Sequence, residues 1–167
     1  MNQPSAQAPA YVFQLATAYR FFDRFQAART LKLETEINKI NDFFDFLEAS
    51  FQSCWHVKDW IRNDSSIDEA TRDSIWQEVQ RTEVLLIVAD LANGTKHLVR
   101  DPKLERVGAG TDTIDVKRNP DGTSTLTMNI ALRDGRRFTD FEVVDNAMKA
   151  WQSLLKRHGL IYFPDRP

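Results

Sequence analysis

The chain has 167 residues, 22 basic and 24 acidic side chains, a formal net charge of −2 and 42% hydrophobic residues, with Gly and Pro at six each. That is enough for one domain with a real core, and it excludes collagen-like and disordered chains, a membrane-spanning apolar run and the strongly basic surface of a general DNA coat. The unusual count is aromatic, with 11 Phe and 4 Trp against 3 Tyr.

Residues 1–9 (MNQPSAQAP) carry no charged side chain and two prolines, with neither the basic region nor the apolar run of a signal peptide, and read as a mobile tail. Residues 10–167 read as a single domain. No Pro or Gly falls between Ala10 and Asn93, which lets helices run long. A first helix is expected over roughly Tyr11 to Arg29. A second runs from about Glu34 to Asn63, with Ile37, Ile40, Phe44, Leu47, Phe51 and Cys54 on one stripe and Phe43 beside it. Most of the phenylalanines are thereby assigned to the core. Asn63-Asp64-Ser65-Ser66 breaks the pattern and supplies N-cap candidates for a third helical stretch, about Asp68 to Leu98, in one piece or two.

Past Pro102 the period changes to two. Ile114 and Val116, then Leu126, Met128, Ile130 and Leu132, alternate about the turn Asn119-Pro120-Asp121-Gly122, which predicts an antiparallel hairpin. Arg133-Asp134-Gly135-Arg136 is a second turn, before a short strand near Phe138. Thr139 and Glu142 have capping-box spacing, and Val144, Ala147, Met148, Trp151, Leu154 and Leu155 form the apolar face of a last helix ended by Gly159. The expected fold class is α+β, mainly α: a helical bundle over 10–99, a β-meander over 104–138 and a closing helix over 140–158.

Two polar clusters interrupt this apolar framework. His56, Asp59, Trp60 and Asn63 stand at i, i+3, i+4 and i+7 and share one helix face, roughly opposite the stripe through Leu47. A solvated face is one reading. Trp60 supports the other, a contact surface, because a large exposed aromatic often marks a partner. The second cluster follows Val84 to Ala89, which is apolar all round the helix. Asp90, Asn93 and His97 continue the line of Leu86, and Lys96 that of Leu85 and Ala89. Either the helix leaves the core there or polar groups enter a cleft, in which case a buried Asp90 needs a partner such as Lys96 or a neighbour's His97. A simple hairpin of the second and third helices would hold the two histidines about 20 residues of rise apart, roughly 30 Å. A single site within one chain therefore requires a helix break between Ser66 and Arg81, or else a symmetric dimer.

No metal or cofactor is expected. Cys54 and His56 diverge on a helix without a third ligand, and there is no P-loop, GxGxxG, HExxH or nucleophile-elbow pattern. The lone cysteine reads as a buried inert thiol and fits a reducing cytoplasm. Basic residues gather at Lys96, His97, Arg100, Lys103 and Arg106, and again at Arg133, Arg136 and Arg137. Asp101, Glu105 and Asp134 interleave them, so the choice is between a mixed-sign surface and an RNA-facing patch.

The elements His56-Val57-Lys58-Asp59-Trp60 and Asp90-Leu91-Ala92-Asn93-Gly94-Thr95-Lys96-His97, followed by a meander and Trp151, make the chain resemble a group of small uncharacterised bacterial proteins. More remotely, the helical half resembles HEPN domains, helical bundles that often act in bacterial toxin and defence systems, many of them as dimeric endoribonucleases. That resemblance implies a cytoplasmic homodimer that binds a protein or RNA partner, with His56, Asp59, Trp60, Asn63 and Arg100 in contact. Its alternative is a metal-independent endoribonuclease using His97 as general acid/base, Lys96 as phosphate clamp, and Asn93 and Asp90 beside them. Where such enzymes carry an Arg before the His, this chain has Asp90, Leu91 and Ala92.

Overall fold

A computed structural model describes residues 8–94 and 106–160. Helix α1 covers Ala10–Ala28 and leads into a two-residue strand, β1 (Thr30–Leu31). The expected second helix is divided. A single turn, α2 (Leu33–Glu36), and a 3-10 turn over Ile37–Lys39 precede the long α3 (Ile40–Arg62). Glu36 marks the division, its carboxylate accepting from the Lys32 amide at 2.9 Å and from Lys39 Nζ at 2.6 Å. The third helical stretch is also in two pieces, α4 (Glu69–Val79) and α5 (Glu83–Gly94), separated at Gln80–Thr82. Asp68 caps α4, accepting from the Thr71 amide at 2.9 Å.

Of the residues expected to cap α4, Asp64 instead ties α3 to α1. It is buried and accepts from the Ser66 amide and hydroxyl and from the Tyr11 amide. Burial opposes its ionisation, yet these donors together hold its carboxyl below the usual range.

The β half follows the alternation. Strands β2 (Gly110–Arg118), β3 (Ser124–Ala131) and β4 (Arg137–Thr139) are antiparallel, and Gly122 and Gly135 take the positive φ that their turns need, 82° and 89°. Central β3 buries Ser124, Leu126, Met128 and Ile130 on one face. Strand β2 lies along one side of it. Along the other side β4 pairs at one end and β1 at the other, where Thr30 faces Thr125. The final helix α6 (Asp140–Arg157) starts at the expected Thr139/Glu142 capping box and ends before Gly159, at φ 65°. Among the described residues the molecule is thus mainly helical, with one small antiparallel sheet. None of these helices is long and apolar enough to cross a membrane.

The core runs without interruption from α1 through α3 and α5 to α6 and the inner face of β3. Phe22, Phe25, Phe43 and Phe51 are inside it and Phe44 and Phe46 pack against it, so the aromatic excess is chiefly core. Helix α5 is the central helix that its all-round apolar sequence predicts. Two buried polar contacts tie the α6 region to the rest. Trp151 is fully buried and its indole N–H donates to the Cys54 carbonyl at 3.0 Å. Asp140 accepts from the Met128 and Phe141 amides at 2.9 and 2.7 Å, with the Arg29 guanidinium 3.7 Å away. Burial raises the Asp140 pKa against the pull of the Met128 amide and Arg29.

Cys54 is 1% exposed, and burial pushes its thiol up to about 12. The thiolate is the nucleophile, so this cysteine is inert in the folded chain. A thiol-specific chromogenic reagent is expected to leave it unmodified in native buffer and to titrate one thiol in guanidinium. Full reaction within minutes in native buffer would contradict the packing.

Candidate nucleic-acid interface

The α3 cluster lies on the surface as its spacing requires. Trp60 is 44% exposed and, with Ala10, Asp59 and Asn63, lines a shallow pocket of about 340 Å³. Its polar members have local duties. Asp59 pairs with Lys58, and Asn63 is the C-cap of α3, its side-chain amide donating to the Asp59 carbonyl at 2.8 Å. His56 is half-buried on the same helix.

Asp90 is buried, and its partners among the described residues are main-chain amides. One carboxylate oxygen accepts the Arg106 amide at 2.8 Å. The other accepts the amides of Val107, Gly108 and Ala109 at 2.9, 2.8 and 3.3 Å. Lys96 and His97, the cations expected to pair with Asp90, are not among the described residues. A charge at the end of an apolar helix is accommodated because four main-chain donors converge on it, as at an anion nest. With both oxygens accepting, Asp90 serves as a clasp that returns the chain to the bundle before β2. Asn93 is half-buried one turn further on. Lys96, His97 and Arg100 lie outside the described residues.

The break at Gln80–Thr82 falls within the stretch where one intramolecular site requires it, and Arg106 links Asp90 to α3. While Asp90 holds its amide, its guanidinium lies 4.8 Å from the centre of the Trp55 ring, next to His56 in α3. Lys58 Nζ lies 4.5 Å from the same ring and 5.8 Å from the Trp76 ring on α4, and the Arg62 guanidinium lies 5.1 Å from Trp76. Cations and indoles thus alternate in one row: Arg106, Trp55, Lys58, Trp76, Arg62. Three of the five are supplied by α3 at i, i+3 and i+7, a single helix face.

The residues at the two ends of the row differ from the one in its middle. Lys58 is paired with Asp59 and nearly buried, its side chain 11% exposed. Arg62 and Arg106 are exposed and, among the described residues, have no carboxylate partner. Their guanidiniums are held over aromatic faces by an attraction worth about 0.5–1 kcal/mol at exposed sites. On α4, Arg72 donates to the Arg62 carbonyl at 3.1 Å, adding a further cation at the C-terminal end of α3.

Sequence reasoning missed this row by one residue. It grouped 56, 59, 60 and 63, whereas the charged face is 55, 58 and 62. The signal was present, as Trp, Lys and Arg at helical spacing, but Trp55 reads equally well as core, and it is indeed 5% exposed. Nothing local announces that Trp76 and Arg106 complete the row. Among the described residues no group of three or more His, Cys, Asp or Glu could hold a metal ion. Comparison with protein-family models, with curated proteins and with solved structures returns no match.

Proposed function

We propose that the protein is a cytoplasmic, HEPN-like helical bundle that binds single-stranded RNA across the Arg106–Trp55–Lys58–Trp76–Arg62 row. The observation that carries this reading is the pair of exposed guanidiniums, each oriented by an indole and with no carboxylate partner among the described residues. A planar guanidinium without a protein partner offers a preoriented bidentate fork to phosphate, where a mobile lysine offers only a point charge. Half-buried Trp76 lies between the two ends of the row, where a base can stack, and base–aromatic stacking is worth about 1–3 kcal/mol per base. The overall charge of −2 agrees with a local strip rather than a coat. The distant HEPN resemblance favours RNA over DNA as the ligand.

Fluorescence anisotropy with a labelled single-stranded RNA tests the reading. With about three phosphate contacts, the logarithm of affinity is expected to fall by about 2 per tenfold rise in salt. Arg62→Glu combined with Arg106→Glu is expected to weaken binding at least about thirtyfold, two losses of 1 kcal/mol or more. The paired Arg→Lys variant is expected to fall between, and Lys149→Glu on α6 to bind as wild type. Equal binding by wild type and the double glutamate variant would refute the interface. Cleavage of the RNA that disappears in His97→Ala, with Lys96→Ala impaired, would move the assignment to the endoribonuclease alternative.

A further inference from the structure

Strand β2 is unlike the rest of the sheet. Among the described residues its outer edge pairs with nothing, and every residue from Thr111 to Arg118 is exposed. Ile114 and Val116 lie opposite Met128 and Leu126, on the apolar side of the sheet, yet they are 47% and 53% exposed. Among the described residues no helix buries these two side chains. An unpaired edge with two apolar side chains is a template for another strand.

The occupant follows from the charges on the strand. Asp112 is already paired with Arg137, and Arg118 with Glu34. Asp115 and Lys117 have no ionic partner among the described residues. Asp115 only accepts from Asn129 Nδ2, at 2.8 Å. These two residues share the sheet face opposite Ile114 and Val116. One acid and one base two positions apart complement the same strand run in reverse. Outward-pointing backbone groups recur every second residue, so a twofold antiparallel pair places one residue opposite its own copy. With Ile114 on the axis, Asp115 meets Thr113 and the charges stay unmatched. With Asp115 on the axis, two carboxylates face each other. With Val116 on the axis, Asp115 meets Lys117 of the second copy, twice, Val116 packs on its own copy, and each Ile114 stands opposite Arg118 of the second copy and diagonal to its Val116.

The bulge in β2 selects the same register. The pairing of β2 with β3 shifts between Thr111 and Ile114, and from Ile114 to Arg118 it is regular. A bulge bends the strand away from a straight partner. The Val116-centred register uses only 114–118, the unbent part.

We propose that this edge is a self-association surface: two chains pair antiparallel along β2 with Val116 on the twofold axis, joining their sheets. The shared stretch is short, at the small end of specific interfaces, so the dimer dissociates in the micromolar to millimolar range.

Sedimentation velocity of the full chain from about 1 μM to about 1 mM reads this directly. Wild type is expected to pass from monomer to dimer. Asp115→Lys and Lys117→Asp each replace two attractions by two repulsions, and each is expected to weaken association about tenfold or more. The two single variants mixed one to one are expected to form a heterodimer, since every opposed pair is again of opposite sign. The double variant Asp115→Lys/Lys117→Asp is expected to regain the homodimer. Recovery on mixing also shows that each single variant is folded. Wild type that stays monomeric at about 1 mM overturns the proposal, as does a dimer indifferent to these charges or a mixture that fails to associate.

Discussion

Asp90→Ala is expected to lower the unfolding free energy by about 3 kcal/mol. Four amides lose a charged acceptor at once, and hydrogen bonds to charged groups contribute about 1.5–3 kcal/mol each before relaxation. The loss stays below the simple sum because Arg106 is exposed and Val107 and Gly108 are half-exposed, so water reaches part of the clasp once it opens. For a chain of this length the change corresponds to a melting temperature lower by roughly 6–12 °C. Asp90→Asn is the informative companion. Its carbonyl oxygen can replace the one that accepts the Val107, Gly108 and Ala109 amides, while its NH2 then opposes the Arg106 N–H. It is expected to lose about half as much. Urea denaturation with a constant slope measures both. An Asp90→Ala chain that melts with wild type would show that the clasp is dispensable. The same variant is expected to weaken RNA binding, because Arg106 loses the amide contact that places it over Trp55.

Trp151→Ala has the largest expected effect on the fold, about 4–5 kcal/mol. Trp151 is among the largest fully buried side chains, on the face of α6 that packs against α3 and α5, and large-to-small changes of this type leave a cavity that the surroundings fill only in part. Trp151→Phe separates the two contributions. It keeps most of the apolar contact and removes the donor to the Cys54 carbonyl, for an expected loss of about 1–2 kcal/mol. Chemical denaturation again decides. Equal losses in the two variants would mean that the hydrogen bond, and not the packing, joins α6 to α3.

Both predictions concern residues whose importance is visible in the sequence but whose role is not. Trp151 lies at core spacing on an amphipathic helix, and its burial needs no more than that pattern. Asp90 stands out because it interrupts an apolar line, and local reasoning supplies it with the nearest cations. The structure pairs it with amides 16 to 19 residues further on, contacts that no helical wheel contains. Strand β1 is the converse case. Two residues are too few to show alternation, and Thr30–Leu31 is a strand only because β3 has a free edge beside it. The division of the expected second helix at Ile37–Lys39 likewise follows from Glu36 turning back to Lys32, where the apolar spacing continues as if unbroken.

By itself the sequence determined most of the elements, though not β1 or the breaks before α3 and α5. The spacing of apolar side chains, the Asn-Pro-Asp-Gly and Arg-Asp-Gly-Arg turns, the Thr139/Glu142 capping box and the stop at Gly159 are readable because their physics is confined to neighbours within a turn or a strand pair. It also identified Trp60 as an aromatic that the core does not take up. Only the tertiary structure decided which face of α3 carries the charge row, because Trp55 and Lys58 meet Trp76 from another helix and Arg106 from beyond α5. It alone showed that Asp90 is a clasp and that, among the described residues, the apolar side of β2 is left uncovered. Those outcomes depend on contacts between residues far apart in the chain, which the bundle and sheet bring together and which no local period encodes.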